Sequence, residues 1–136
     1  DRAWRVRFWD RFFDHYVHEP MQRIVGDTLR PAERRDSLGV EQARALIRAA
    51  YAHVEREIGD GPWMTGDDFT LADCSAEPAL FYANAVEPIG NAFPLTRAYL
   101  GRLMRRPSVR RVLVEAEPYF RFYPMPDKPS IDPPSD

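Results

Sequence analysis

One cysteine, one lysine and no long apolar run are found in the 136 residues, and each scarcity removes a class of protein. A lone thiol, Cys74, cannot close an internal disulfide, so the fold has to be stable when reduced, which suits the cytoplasm and argues against secretion. No stretch approaches the ~20 apolar residues that span a bilayer, and charges are scattered through residues 1–25 where a signal peptide would have its apolar core. The expectation is a soluble protein with no membrane partner. No segment alternates with the two-residue period of a strand, and no internal repeat is visible. Net charge is also scarce. Nineteen basic residues against 21 acidic ones leave −2, too small a field to draw nucleic acid. The charge is unevenly placed, because Arg97, Arg102, Arg105, Arg106, Arg110 and Arg111 crowd into a stretch with no acid between Glu87 and Glu115. A solvated helix face explains this better than a phosphate-binding patch, since few stacking aromatics accompany the arginines.

What is present is helical periodicity in a chain long enough for one domain with its own core. From Trp4 to about Val25, two adjacent stripes run Trp4, Phe8, Phe12, Tyr16 and Trp9, Phe13, Val17, Ile24, which predicts burial on two sides. Pro20 predicts a kink within residues 16–20. Residues 26–39 read as a loop holding one extra turn. A second helix is predicted from about Val40 to Ile58, stopped by Gly59. A third, about Leu71 to Val86, is apolar on nearly all sides and therefore central, with surrounding packing expected to hold it together at Pro78. A fourth covers about Leu95 to Arg105 and a fifth about Pro107 to Glu117. Tyr119, Phe120, Phe122 and Tyr123 are expected to lie over the bundle, as a lid on an apolar pocket or as plain core. The fold class is all-α, a bundle of about five helices over residues 1–123. Residues 124–136 form a proline-rich tail expected to dock loosely or not at all.

The most informative segment is Gly66-Asp67-Asp68-Phe69-Thr70-Leu71-Ala72-Asp73-Cys74. Thr70 is an N-cap whose hydroxyl can accept the Asp73 N–H, while the Asp73 carboxylate reaches back to the Thr70 N–H, a capping box with Asp in place of Glu. Phe69 and Cys74 occupy the two positions of a hydrophobic staple. A buried helix start needs such a cap because no water is at hand for its first donors.

A capping box on a nearly all-apolar helix, preceded by Trp63, Gly66 and Phe69 and followed by Ala79-Leu80-Phe81-Tyr82-Ala83, resembles the helical C-terminal domain of the glutathione transferase superfamily, bacterial type. Glu19-Pro20-Met21, Leu103-Met104-Arg105-Arg106-Pro107-Ser108 and Ala116-Glu117-Pro118-Tyr119 extend the resemblance over about residues 4–123. It implies a two-domain, dimeric parent in which a thioredoxin-like N-terminal domain binds glutathione as co-substrate, while the helical domain walls the site of an apolar electrophile. No thioredoxin-like pattern is present in this chain, which starts at Asp1 without methionine and is expected to be a fragment. It is thus expected to hold no catalytic residue and no cofactor of its own, and to be inactive alone. Cys74 is expected to be packed rather than nucleophilic.

By position on the first helix, the resemblance makes Phe8, Arg11, Phe12 and His15 the candidates for the electrophile site. Arg11 and His15, one turn apart, suit a carboxylate or a leaving group, yet an Arg11–Asp14 pair in solvent and a surface His15 are the plainer reading. Asp10 and Asp14 are alternatives that would reach across a dimer interface. His15, His18 and Glu19 have a ligand-like spacing but no second cluster, so no metal is expected. The rival function is a non-catalytic interaction module built on the same helical domain.

Overall fold

The computed structural model describes residues 2–134, and Asp1, Ser135 and Asp136, the last two of the expected tail, lie outside them. The first rod is α1 (Arg2–Phe12), a π-helical segment (Phe13–His18) and α2 (Glu19–Thr28), running on without a break. Pro20 explains the wider winding. It has no N–H, and its ring would crowd the Tyr16 carbonyl in an α-helix; π winding instead lets the Glu19 N–H reach the Asp14 carbonyl, five residues back. Pro20 then enters α2 at its first turn, where no donor is required. The expected kink is thus replaced by a widened turn upstream of the proline, and the helix extends to Thr28 rather than Val25. Of the two predicted stripes, Trp9, Phe13, Val17 and Ile24 are buried as a set. The other splits. Phe12 is buried, but Trp4, Phe8 and Tyr16 are exposed.

A short 3-10 turn, Ala32–Arg34, supplies the extra turn expected in the loop. α3 (Ser37–Glu57) begins three residues before Val40 because the Asp36 carboxylate accepts the Gly39 N–H at 2.8 Å. A side chain at Gly39 would collide with that carboxylate. At the other end Gly59 is not the stop. Ile58 turns to extended backbone and buries its side chain, which ends the helix one residue earlier. α3 then ties the bundle together across its length. Arg44 donates to the Val86 carbonyl, and Tyr51 Oη donates to the Glu87 carbonyl at 2.9 Å, so the end of α4 (Leu71–Val86) is capped from outside. One turn further along α3, Glu55 accepts the N–H of Leu95 at 2.9 Å, the N–H of Thr96 at 2.7 Å and the Thr96 hydroxyl at 2.8 Å, which caps α5 (Pro94–Arg105). Glu55→Ala is expected to cost about 2 kcal/mol, since three donors at a helix start lose their acceptor. Urea denaturation checks this; an unchanged midpoint would mean that water serves those donors equally well.

α4 (Leu71–Val86) is the core helix, with Ala72, Ala76, Leu80 and Ala83 fully buried. It is not covered all round. Leu71, Cys74 and Pro78 share an exposed strip, so Pro78 is tolerated because the carbonyl it orphans, that of Cys74, lies on a side open to water, not because packing grips it. α5 (Pro94–Arg105) and α6 (Pro107–Ala116) follow, each opened by its proline. Of the four aromatics in the final 3-10 segment (Glu117–Phe122) and just after it, Phe120 is buried and Tyr123 packs on the core, whereas Tyr119 and Phe122 remain 67% and 69% exposed. Hence only half of that cluster lies over the bundle. The proline-rich tail is better ordered than its composition suggests. Pro129 is buried, Met125 and Ile131 pack on the core, and Arg110 donates to the Ile131 carbonyl. Prolines make this docking cheap in entropy, because a chain with restricted φ has less freedom to lose.

Candidate functional site

The start of α4 is where the sequence motif and the tertiary structure meet. The reciprocal capping box is present, and the Asp73 carboxylate does more than close it. Its Oδ2 accepts the Thr70 N–H at 2.9 Å and the Thr70 hydroxyl at 3.1 Å, while Oδ1 accepts the Met64 N–H at 2.9 Å and the Tyr99 hydroxyl at 2.7 Å. Asp73 is fully buried, so these four donors stand in for its hydration shell and join the 63–66 turn, α4 and α5 at one point. Burial and the adjacent Asp73 charge raise the Tyr99 pKa, keeping its proton on the donor side of the bond. Trp63 and Gly66 close the turn with reciprocal backbone bonds of 3.1 Å, and Gly66 at φ +116° supplies the conformation that other residues resist.

The expected staple is realised differently. Phe69 packs edge-on against Trp63 at 5.0 Å between ring centroids and lies under the Arg106 guanidinium at 3.8 Å. Cys74, its expected partner, is exposed. The reason is angular: residue 74 falls on the strip of α4 that no other element among the described residues covers. Burial of part of the side chain and the neighbouring Asp73 push the thiol pKa up, so this accessible sulfur is a weak nucleophile for want of thiolate rather than for want of access.

Phe8, Arg11, Phe12 and His15 recur three and four apart along the first rod and so share one side of it, with Phe12 buried and the other three exposed. Phe12 is buried, in contact with Trp9 at 4.9 Å and with His53 of α3 at 5.1 Å, and Phe8 leans on the same group. These rings therefore belong to the α1–α3 side. Arg11 is exposed and forms ion pairs with Asp10 at 3.0 Å and Asp14 at 2.9 Å. His15 is exposed, with Nδ1 3.6 Å from Glu19. Among the described residues no group of three or more ligating side chains is placed to hold a metal ion.

A polar contact that the sequence reading missed faces α4 instead. The Ser75 hydroxyl donates to Asp10, and that bond, with the Arg11 pair, holds the Asp10 carboxyl below its ordinary pKa. Asp10 therefore lies beside the exposed strip of Leu71, Cys74 and Pro78, and Arg11 bridges it to Asp14. Only the position of Ser75, one turn after the cap, hinted at this. Glu77, also unmarked in the sequence, is partly enclosed in α4, has a buried Oε1 without a hydrogen-bond partner, and is pushed up by burial to a pKa of about 7. The arginine cluster is largely occupied at home. Arg102 donates to the Pro62 carbonyl at 3.1 Å, Arg106 covers Phe69, Arg110 holds Ile131, and Arg111 lies 3.8 Å from Glu115.

Comparison with known proteins gives a consistent answer. The family described as "Glutathione S-transferase, C-terminal domain" matches residues 38–113. Glutathione S-transferase GstB of Escherichia coli strain K12 is 24% identical over 91 residues, which are 67% of this chain and 44% of that protein. A glutathione S-transferase of Methylobacterium radiotolerans JCM 2831, solved in complex with glutathione sulfonate, superposes with a TM-score of 0.66 at 24% identity, over 79% of this chain and 51% of that one. One from Methylobacillus flagellatus KT, with GSH bound, gives 0.69 at 20% identity, over 79% and 54%. The chain thus spans about half the length of the relatives it matches.

Proposed function

Because the chain belongs to the glutathione S-transferase family through its C-terminal helical domain, we propose that it works as one half of a two-domain cytoplasmic enzyme that detoxifies apolar electrophiles with glutathione. The observation that carries this reading is the open strip of α4. Leu71 is 54% exposed on a helix whose other positions are buried or half-buried, and Cys74 and Pro78 continue the strip. An uncovered apolar strip on a central helix is the surface a second domain would cover. A glutathione-binding domain seated there would place its thiol beside Asp10, Asp14 and Arg11. Those groups would meet the charged ends of glutathione, with the apolar strip left for the electrophile. In this reading Phe8 and Tyr16, with Leu46 of α3, form the face used for homodimerisation, and Phe12 supports it from beneath; His15 is a surface residue at its end.

The division of labour has a direct test. Thiolate activation needs donors aimed at the sulfur, and this chain offers an aromatic cluster, ion pairs and a protonated cysteine. The 136-residue chain alone should therefore show no conjugation of an activated aryl halide above the uncatalysed rate and should bind glutathione more weakly than millimolar in calorimetry. In the full-length parent, Arg11→Ala should lower kcat/KM at least several-fold with little loss of stability. Turnover by the isolated chain would overturn the proposal, as would a parent indifferent to Arg11→Ala, Asp10→Ala and Leu71→Asp alike.

A further inference from the structure

Five aromatic side chains line a cleft where the final 3-10 segment meets α4. Phe120 is its buried floor, and Tyr82 of α4 lies edge-on to Phe120 at 6.5 Å between ring centroids and 5.8 Å from Tyr123. Tyr119 and Phe122 rise beside them, largely exposed. The cleft measures about 340 Å³, room for a one- or two-ring molecule and at the small end of ligand sites. Tyr82 follows Pro78 by one turn, so the cleft continues the open strip of α4.

The chemistry of this lining selects its occupant. Among the described residues no charged side chain lines the cleft, so a ligand's ammonium or carboxylate would find no counter-ion inside it. The cleft offers ring faces, which carry negative charge density, and donors. Tyr82 and Tyr119 bring phenolic hydroxyls, and the Arg121 guanidinium stands over Phe122, 4.7 Å from the ring centroid. A saturated ring would gain only burial there, and an electron-rich arene would set like against like. A ring stripped of electron density by nitro or carbonyl groups has the opposite pattern, a positive face and a negative rim, and matches the cleft in both respects. We infer that this cleft is a binding site for a flat, electron-poor arene with acceptor oxygens at its edge, a nitroarene or a quinone. Tyr119 and Phe122 set its specificity. Thiolates attack such rings readily, so the site's role as the seat of the electrophile rests on the function proposed above, whereas the binding itself does not.

Nuclear magnetic resonance titration of the intact chain tests this with three single-ring probes of similar size: 2,4-dinitroaniline, 4-methoxyaniline and 4-methylcyclohexanone. Dinitroaniline should saturate with a Kd of about 0.1–1 mM, and the other two should bind at least about threefold more weakly. Phe122→Leu and Tyr119→Leu keep an apolar side chain but remove a ring. Each should weaken dinitroaniline about two- to tenfold and leave methylcyclohexanone within about twofold. Phe122→Tyr should retain the binding. Both positions are exposed, so the fold should tolerate these changes, which circular dichroism checks. Equal affinity for the three probes, no saturable binding of dinitroaniline, or indifference to both leucine variants overturns the inference. Ring binding by this chain beside a full-length parent without glutathione-dependent turnover would support the site and sink the enzyme reading. An active parent whose helical half binds no ring would do the reverse.

Discussion

Replacing Asp73 with Ala is expected to destabilise the domain by about 3–5 kcal/mol, well beyond the ~1 kcal/mol of an ordinary cap. The difference comes from burial. In water a lost cap is replaced by solvent, but here the N–H groups of Thr70 and Met64 and the hydroxyl of Tyr99 all lose their acceptor, and Asp73 itself is fully enclosed. For a domain of this size the loss corresponds to a fall in Tm of about 10 °C or more. Thr70→Ala should cost about 1 kcal/mol and Tyr99→Phe about 1–2 kcal/mol. Each double variant with Asp73→Ala should cost less than the sum of its singles, because the groups share one carboxylate. A loss of 1 kcal/mol or less for Asp73→Ala in denaturant titration would mean that the three elements meeting there are held without it.

Stability should also fall as pH rises through neutrality, and Glu77 should be the cause. Its carboxyl has a folded-state pKa of about 7 against an ordinary 4.5, with burial as the reason. Below 4.5 the group is protonated both folded and unfolded, and it exerts no penalty. Between 4.5 and 7 the unfolded chain has released a proton that the folded chain keeps, so unfolding gains with rising pH. Above 7 the folded state holds a partly buried carboxylate, and the penalty is complete at about 2–3 kcal/mol. Glu77→Gln should therefore raise Tm by several degrees at pH 8 and change it little at pH 4. Other carboxylates titrate in both proteins, so the difference between the two curves isolates this group. Parallel curves over pH 4–8 would show that Glu77 is as well solvated folded as unfolded.

The legible part of this site was the part encoded locally. Thr70 and Asp73 stand three apart before an apolar run, and a capping box is complete within four residues, so the sequence alone could assign it. The same sequence says nothing of Tyr99, which lies 26 residues away and reaches the Asp73 carboxylate only because α5 packs beside α4. Ser75 and Asp10, 65 positions apart, were illegible for the same reason. Cys74 shows how a correct periodicity can mislead. Apolar composition all round α4 implied a sealed helix, but composition does not tell whether a partner surface is present in the chain, and one strip of α4 has none.

Patterns of spacing determined the all-α class, five helical rods, the capped start of α4 and, by resemblance, the family. These follow from interactions within a few residues: hydrogen bonds four apart, caps three apart, and prolines that fix φ and withhold a donor. The tertiary structure showed how the chain absorbs Pro20, through a π turn rather than a kink, with Phe13 and Val17 of that turn buried. It also decided which of the α1 aromatics are core, which carboxylate is a junction and which is stranded, and that a tail rich in proline packs on the core. Each of those outcomes depends on groups tens of residues apart being desolvated together, and desolvation is a property of the packed whole.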